Sequence, residues 1–113
     1  MSVSQGNISL GPIGLTLLAW AEFNGDTGAI IKGYNIAAAT HTATSGSYAV
    51  TFTAAVASAN YVVTIAGGER SGATGQTGKF VSSPTTAGFT LTSTQPGLGN
   101  IDLAGSVHMA VWG

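Results

Sequence analysis

Residues 47–66, SYAVTFTAAVASANYVVTIA, constrain the fold more than any other part of this chain. Tyr48, Val50 and Phe52 alternate with Ala49, Thr51 and Thr53, so an extended backbone carries one apolar face and one small or hydroxylated face. Tyr61, Val63 and Ile65 repeat the pattern against Val62, Thr64 and Ala66. Side chains alternate sides along a strand, so a period of two in aromatic and β-branched residues marks a half-buried strand. Residues 54–60 between the two runs are too many for a tight hairpin turn and too apolar for a merely solvated loop. The pattern predicts two adjacent antiparallel strands joined by a packed connection.

The remaining segments follow the same rule. Over residues 17–23, Leu18, Trp20 and Glu22 alternate with Ala19, Ala21 and Phe23, and NGDTG at 24–28 is a strong turn signal. Residues 29–32 and 34–39 read as strands broken at Gly33, where a bulge or a bend between sheets is expected. A turn at 44–46 leads into the central pair. Further strands fall at 79–83, at 89–93 with Phe89 and Leu91 inward, and at 106–112, with a turn at 84–88 between the first two. Residues 67–78, with five glycines, and residues 94–105 are long loops. Residues 56–59 have room for one helical turn. Residues 1–14 show no period and read as an extended arm with a short strand near 7–10. Seven or eight short strands without helical periodicity predict an all-β, antiparallel, jelly-roll-like sandwich at 18–113, behind an N-terminal arm or attachment segment at 1–17. The inter-sheet core is expected from Tyr48, Phe52, Tyr61, Val63, Ile65, Phe89 and Leu91.

A chain of 113 residues fits one domain with a modest core. Charged residues make up only 6% and the net charge is −1, with Lys32, Arg70 and Lys79 scattered far apart. That distribution supplies no basic field for nucleic acid. Low charge beside 44% hydrophobic residues leaves little to oppose self-association, so an assembly covering part of the surface is expected. Cysteine is absent, which excludes disulfides, a thiol nucleophile and thiolate metal sites. The first basic residue is Lys32, so the charged start of a secretory signal is missing. Residues 10–21 are apolar, but Gly11, Pro12 and Gly14 interrupt a run already too short to span a bilayer. The expectation is a soluble protein or assembly component without membrane insertion.

Chemistry is thinly represented. His41 and His108 lie too far apart in sequence for a preformed metal pair, although either can meet Glu22, Asp26 or Asp102 in space. Alternation puts His108 on the less buried face of the last strand, where in a trimer its copies can converge on the axis. The four carboxylates are scattered, and Glu69 beside Arg70 reads as a solvated pair. The glycine-rich run at 67–72 lacks the lysine and helix of a phosphate-binding loop. No nucleophile–base set emerges, so neither an enzyme nor a cofactor is expected. Trp20 and Trp112 are core or interface anchors, or surfaces for stacking on a sugar. Trp20, His108 and Trp112 are therefore the candidates for an oligomer interface. Recognition by a sandwich concentrates on loops held by its scaffold. Glu69, Arg70, Gln76, Gln95, Asn100 and Asp102 are the candidate receptor contacts, unless both long loops are simply solvated.

AWAEFNGDTGAIIKGYNI (19–36), GSYAVTFTAAVASANYVVTIAG (46–67), VSSPTTAGFTLTS (81–93) and the ending VHMAVWG (107–113) occur in an order that resembles a C-terminal domain of tailed-bacteriophage fibre and other virion proteins. The resemblance covers residues 18–113 and departs from the usual pattern in Trp112, where Phe is more common, and in the short segment ahead of the domain. It implies a β-sandwich that works as a homotrimer on the virion, often as the tip that meets a host glycan or surface protein. Apart from the resemblance, the N-terminal arm is the expected attachment to another virion protein. Three functions stay open: a fibre or knob that recognises the host, a capsid or tail decoration protein without receptor binding, and a lectin-like or enzymatic sandwich outside viruses.

Overall fold

The computed structural model describes residues 3–4, 7–8, 15–42, 44–69, 78–95 and 99–113. Its strands are β1 Val3–Ser4, β2 Asn7–Ile8, β3 Leu17–Asn24, β4 Ile30–Tyr34, β5 Ile36–His41, β6 Ser47–Phe52, β7 Val62–Gly67, β8 Gly78–Thr85, β9 Gly88–Gln95, β10 Gly99–Asn100 and β11 Ser106–Trp112. One sheet runs β4-β3-β11-β7 and the other β5-β6-β9-β8, with short β10 added at the end of β9. Among the described residues every pairing is antiparallel, and β1 pairs with β2. The result is an antiparallel β-sandwich, as the alternation predicts. The stretch at 56–59 takes no helical form.

Local chemistry explains the hairpins. At 24–28 the Asn24 side-chain oxygen accepts the N–H groups of Asp26 (2.8 Å) and Thr27 (3.3 Å), an Asx turn. Gly28 closes it at φ 81°, where a Cβ would stand 2.1 Å from the Ala39 carbonyl oxygen, so no other residue fits. The change of sheet between β4 and β5 does not fall at Gly33. Gly33 stays paired inside β4, its missing side chain admitting the Trp20 carbonyl oxygen at 2.7 Å from where a Cβ would be. The crossing residue is Asn35, at φ 57°. Its amide donates to Leu18 O (3.3 Å) and Ala54 O (3.1 Å), and its side-chain oxygen accepts Ala54 N–H (2.8 Å). Asparagine tolerates the left-handed region because its amide replaces the backbone bonds lost there.

The two central runs are not neighbours in one sheet. β6 pairs with β5 and β9, whereas β7 lies at the edge of the opposite sheet beside β11, and residues 53–61 cross between them. The core accordingly draws on strands the central pair does not include. Ala19, Ala21 and Phe23 of β3 and Val107, Met109 and Val111 of β11 face Ile36, Ala39, Tyr48, Val50, Phe52, Phe89 and Leu91, with Leu103 beside them. Tyr61, Val63 and Ile65 are only partly buried, because β7 lies at the open side of the sandwich. Two aromatic groups close the ends. Phe23 meets Tyr48 at 5.5 Å at one end, and Phe52, Tyr61 and Phe89 cluster at 5.6–6.1 Å at the other.

The sandwich has a polarity that matters for function. Thr16 exchanges two backbone hydrogen bonds with Gly113 (2.7 and 3.0 Å), so the chain joins β3 at the end where β11 finishes. The hairpin turn at 24–29 and residues 44–46 lie at the other end. There Gly25 N–H donates to Gly105 O at 2.7 Å, and Asp102 receives the N–H groups of Thr44 and Gly46.

Candidate functional site

Parity along β3 and β11 decides what the outer face of the first sheet displays. With Ala19, Ala21, Val107, Met109 and Val111 inward, Trp20, Glu22, His108, Ala110 and Trp112 point away from the core. Register aligns them into rows: Tyr34, Trp20, Ala110 and Thr64 in one, and Lys32, Glu22, His108 and Ala66 in the next. Trp112 lies opposite Val62, with its indole N–H 3.4 Å from the Thr64 hydroxyl. All three candidate interface residues, Trp20, His108 and Trp112, thus share one face. Tyr34 (38% exposed) and Val62 (57%) extend its apolar area. A shallow hollow of about 220 Å³ beside His108 is lined by Thr64, Ile65, Ala66, Met109 and Ala110.

The charges of this face form one stripe. Lys32 Nζ lies 3.7 Å from Glu22 Oε1, and His108 is Glu22's partner on the other side. A hydrogen bond from the Ser106 side chain holds the Glu22 carboxyl below its ordinary value against the opposing effect of desolvation, helped by His108 and Lys32.

The loop end brings together a different set. Ala104 N–H donates to Gly68 O at 3.0 Å and Gly78 pairs with Thr94, so the described roots of both long loops lie at the end away from Thr16 and Gly113. Of the candidate receptor contacts, Asn100 and Glu69 are exposed. Glu69 is paired with Lys79 at 2.6 Å, not read as a partner for it from sequence. Arg70 and Gln76 lie outside the described residues. Gln95 is 2% exposed, because β9 continues its inward parity from Phe89 through Leu91 and Ser93, so it is not presented to a receptor.

Asp102 is committed to the fold. Its carboxylate accepts Thr44 N–H at 2.7 Å and Gly46 N–H at 2.8 Å and lies 3.3 Å from His41 Nε2. Burial pulls its carboxyl upward, but those two N–H groups and His41 outweigh it, leaving the group below its ordinary value. Behind it, the Tyr48 hydroxyl donates to Gly25 O and accepts Leu103 N–H at 2.9 Å. His41 stacks on the Tyr48 ring at 4.4 Å. The meeting of His41 with Asp102 is one of the pairings the sequence leaves open, whereas the part of Tyr48 and Thr44 in the cluster is not read from it; the signal for Tyr48 is a hydroxyl on an inward position, which must find a partner.

On the open side, a groove of about 390 Å³ between β7 and β8 is lined by Tyr61, Val63, Ile65, Lys79, Phe80, Val81 and Pro84. Burial raises the Tyr61 hydroxyl above its ordinary value, only partly offset by its bond to the Thr85 carbonyl. Among the described residues, no three His, Asp or Glu side chains converge as a metal site would require. The chain matches no family model, no curated protein and no solved structure.

Proposed function

We propose that this chain is a bacteriophage virion surface module, a homotrimeric knob that presents its loop end to the host. The observation that carries this reading is the outer face of the β4-β3-β11-β7 sheet. Exposed Tyr34 and Val62 and half-buried Trp20 and Trp112 put apolar area on a sheet face that the Lys32–Glu22–His108 stripe borders on one side. Antiparallel sheets that face water normally carry polar residues there, and a contiguous apolar face marks an interaction surface. A second copy is the occupant favoured by the low net charge of −1, which opposes self-association little. The order of sequence motifs supplies the trimer and the virion. Polarity supports the presentation: Thr16, where the described chain enters β3, lies at one end, and the described roots of the long loops occupy the other.

The commitment of Asp102 and Gln95 to the fold favours a second reading, a decoration protein whose loop end binds no receptor. Sedimentation at micromolar concentration tests the assembly, with about three times the 11.2 kDa chain mass expected and a clean monomer overturning it. Labelled protein imaged on particles separates the two readings: a fibre tip supports the knob, and a capsid or tail-tube lattice supports decoration.

A further inference from the structure

At the loop end the His41 ring lies between two oxygens. Its Nδ1 is 3.2 Å from Ser47 O and its Nε2 is 3.3 Å from Asp102 Oδ2. The second contact is not an aligned hydrogen bond, so it is a close ion-pair approach. A neutral imidazole has one N–H and one bare lone pair. Whichever neutral tautomer forms, a lone pair is set against an oxygen, the carbonyl in one case and the carboxylate in the other. Only the doubly protonated ring presents N–H to both. The ring cannot easily turn away, since its side chain is 3% exposed and stacks within 14° of parallel on Tyr48.

We propose that His41 and Asp102 form a proton-operated latch, which holds the turn between β5 and β6 against residues 99–105 while His41 is charged and loosens it when that charge is lost. The same Asp102 carboxylate carries the Thr44 and Gly46 amides, so the charge attraction it loses when the ring gives up a proton is transmitted directly to the turn. Among the described residues, the ionisable groups around the ring are few. Asp102 faces it from the 99–105 segment and Tyr48 from β6. The turn at 24–29, which meets His41 through Gly28, carries Asp26, whose carboxylate is bound to Gly105 N–H at 3.1 Å. The low value of the Asp102 carboxyl, to which His41 contributes, agrees with this arrangement. Because exposed Thr44 and Asn100 border the latch, acidity would set the shape of the loop-end surface whatever that surface binds. This inference does not depend on the virion reading.

Amide hydrogen exchange read by NMR on the unmodified chain tests the latch across the interval from mildly acidic to mildly basic pH. After correction for intrinsic base catalysis, protection of the Thr44 and Gly46 amides is expected to fall about tenfold or more, the loss of a bond to a charged group, while β3 and β11 keep theirs. Asp102→Asn is expected to remove the pH dependence and His108→Asn to leave it intact. Unchanged protection at Thr44 and Gly46 across the interval overturns the latch, as does a dependence that survives His41→Gln. The unmodified chain decides alone if a variant does not fold.

Discussion

One hydroxyl holds two loops at the end of the sandwich. Tyr48 is fully buried, and its oxygen joins the Gly25 carbonyl of one turn to the Leu103 N–H of another connection. Tyr48→Phe keeps the ring and deletes only that shared partner, at an expected cost of about 1–3 kcal/mol. Denaturant titration would show this as a lower midpoint at unchanged slope; a midpoint equal to the parent's would mean that the oxygen contributes nothing net. Asp102 acts at the same end with a sign that can be worked out. Its carboxyl is held lower in the folded state than its ordinary 3.8, so the unfolded chain binds the proton more readily. Its contribution is present above the unfolded value and is lost as pH falls through the folded one. Thermal midpoints followed downward from about pH 5 are expected to fall less steeply for Asp102→Asn than for the parent. Parallel slopes would remove Asp102 from the acid response.

At the scale of elements, the strands were legible and their partners were not. Alternation specifies which face of a strand is buried. It is silent on whether a neighbour lies beside that strand or across the core, and so β6 and β7 read as a pair although they belong to opposite sheets. The crossing at Asn35 was hidden for a similar reason: what makes its positive φ tolerable is a bond to Leu18 and two to Ala54, remote in sequence. The Asp102 anchor escaped likewise, since Thr44 and Gly46 lie 58 and 56 residues away. By contrast, parity alone was enough to put Trp20, His108 and Trp112 outward together once β3 and β11 paired. Two variants probe this level. Phe52→Ala, which empties the aromatic cluster at the terminal end, is expected to cost about 3–5 kcal/mol. Asn35→Gly keeps the left-handed backbone and loses only side-chain bonds, so it should be less damaging than Asn35→Ala by about 1 kcal/mol. Equal losses would show that the amide bonds, not the backbone conformation, make Asn35 the crossing residue.

For the whole molecule, the question is whether the outward sheet face is solvent-facing or shared between copies, and one position separates the two. Val62 is 57% exposed on β7, beside Trp112, and its side chain contributes little to the core. Val62→Lys should therefore change the stability of an isolated chain by no more than about 0.5 kcal/mol, as for other surface substitutions. If copies meet through this face, the same lysine is carried into an apolar contact without a carboxylate partner. Glu22, the nearest acid on the face, is already bound to Lys32 and flanked by His108. An unpaired charge buried in this way costs about 3 kcal/mol or more, roughly a hundredfold in association. Phe80→Lys is the matched control, because Phe80 is 50% exposed but lies on β8, in the opposite sheet. Sedimentation across a concentration series is expected to show the parent and Phe80→Lys assembled where Val62→Lys has dissociated, with all three chains giving the same far-ultraviolet spectrum. Dissociation by Phe80→Lys alone would move the interface to the open side between β7 and β8. Assembly undisturbed by either lysine would leave Trp20 and Trp112 as ornaments of a solvent face, and the trimeric reading would lose its structural support.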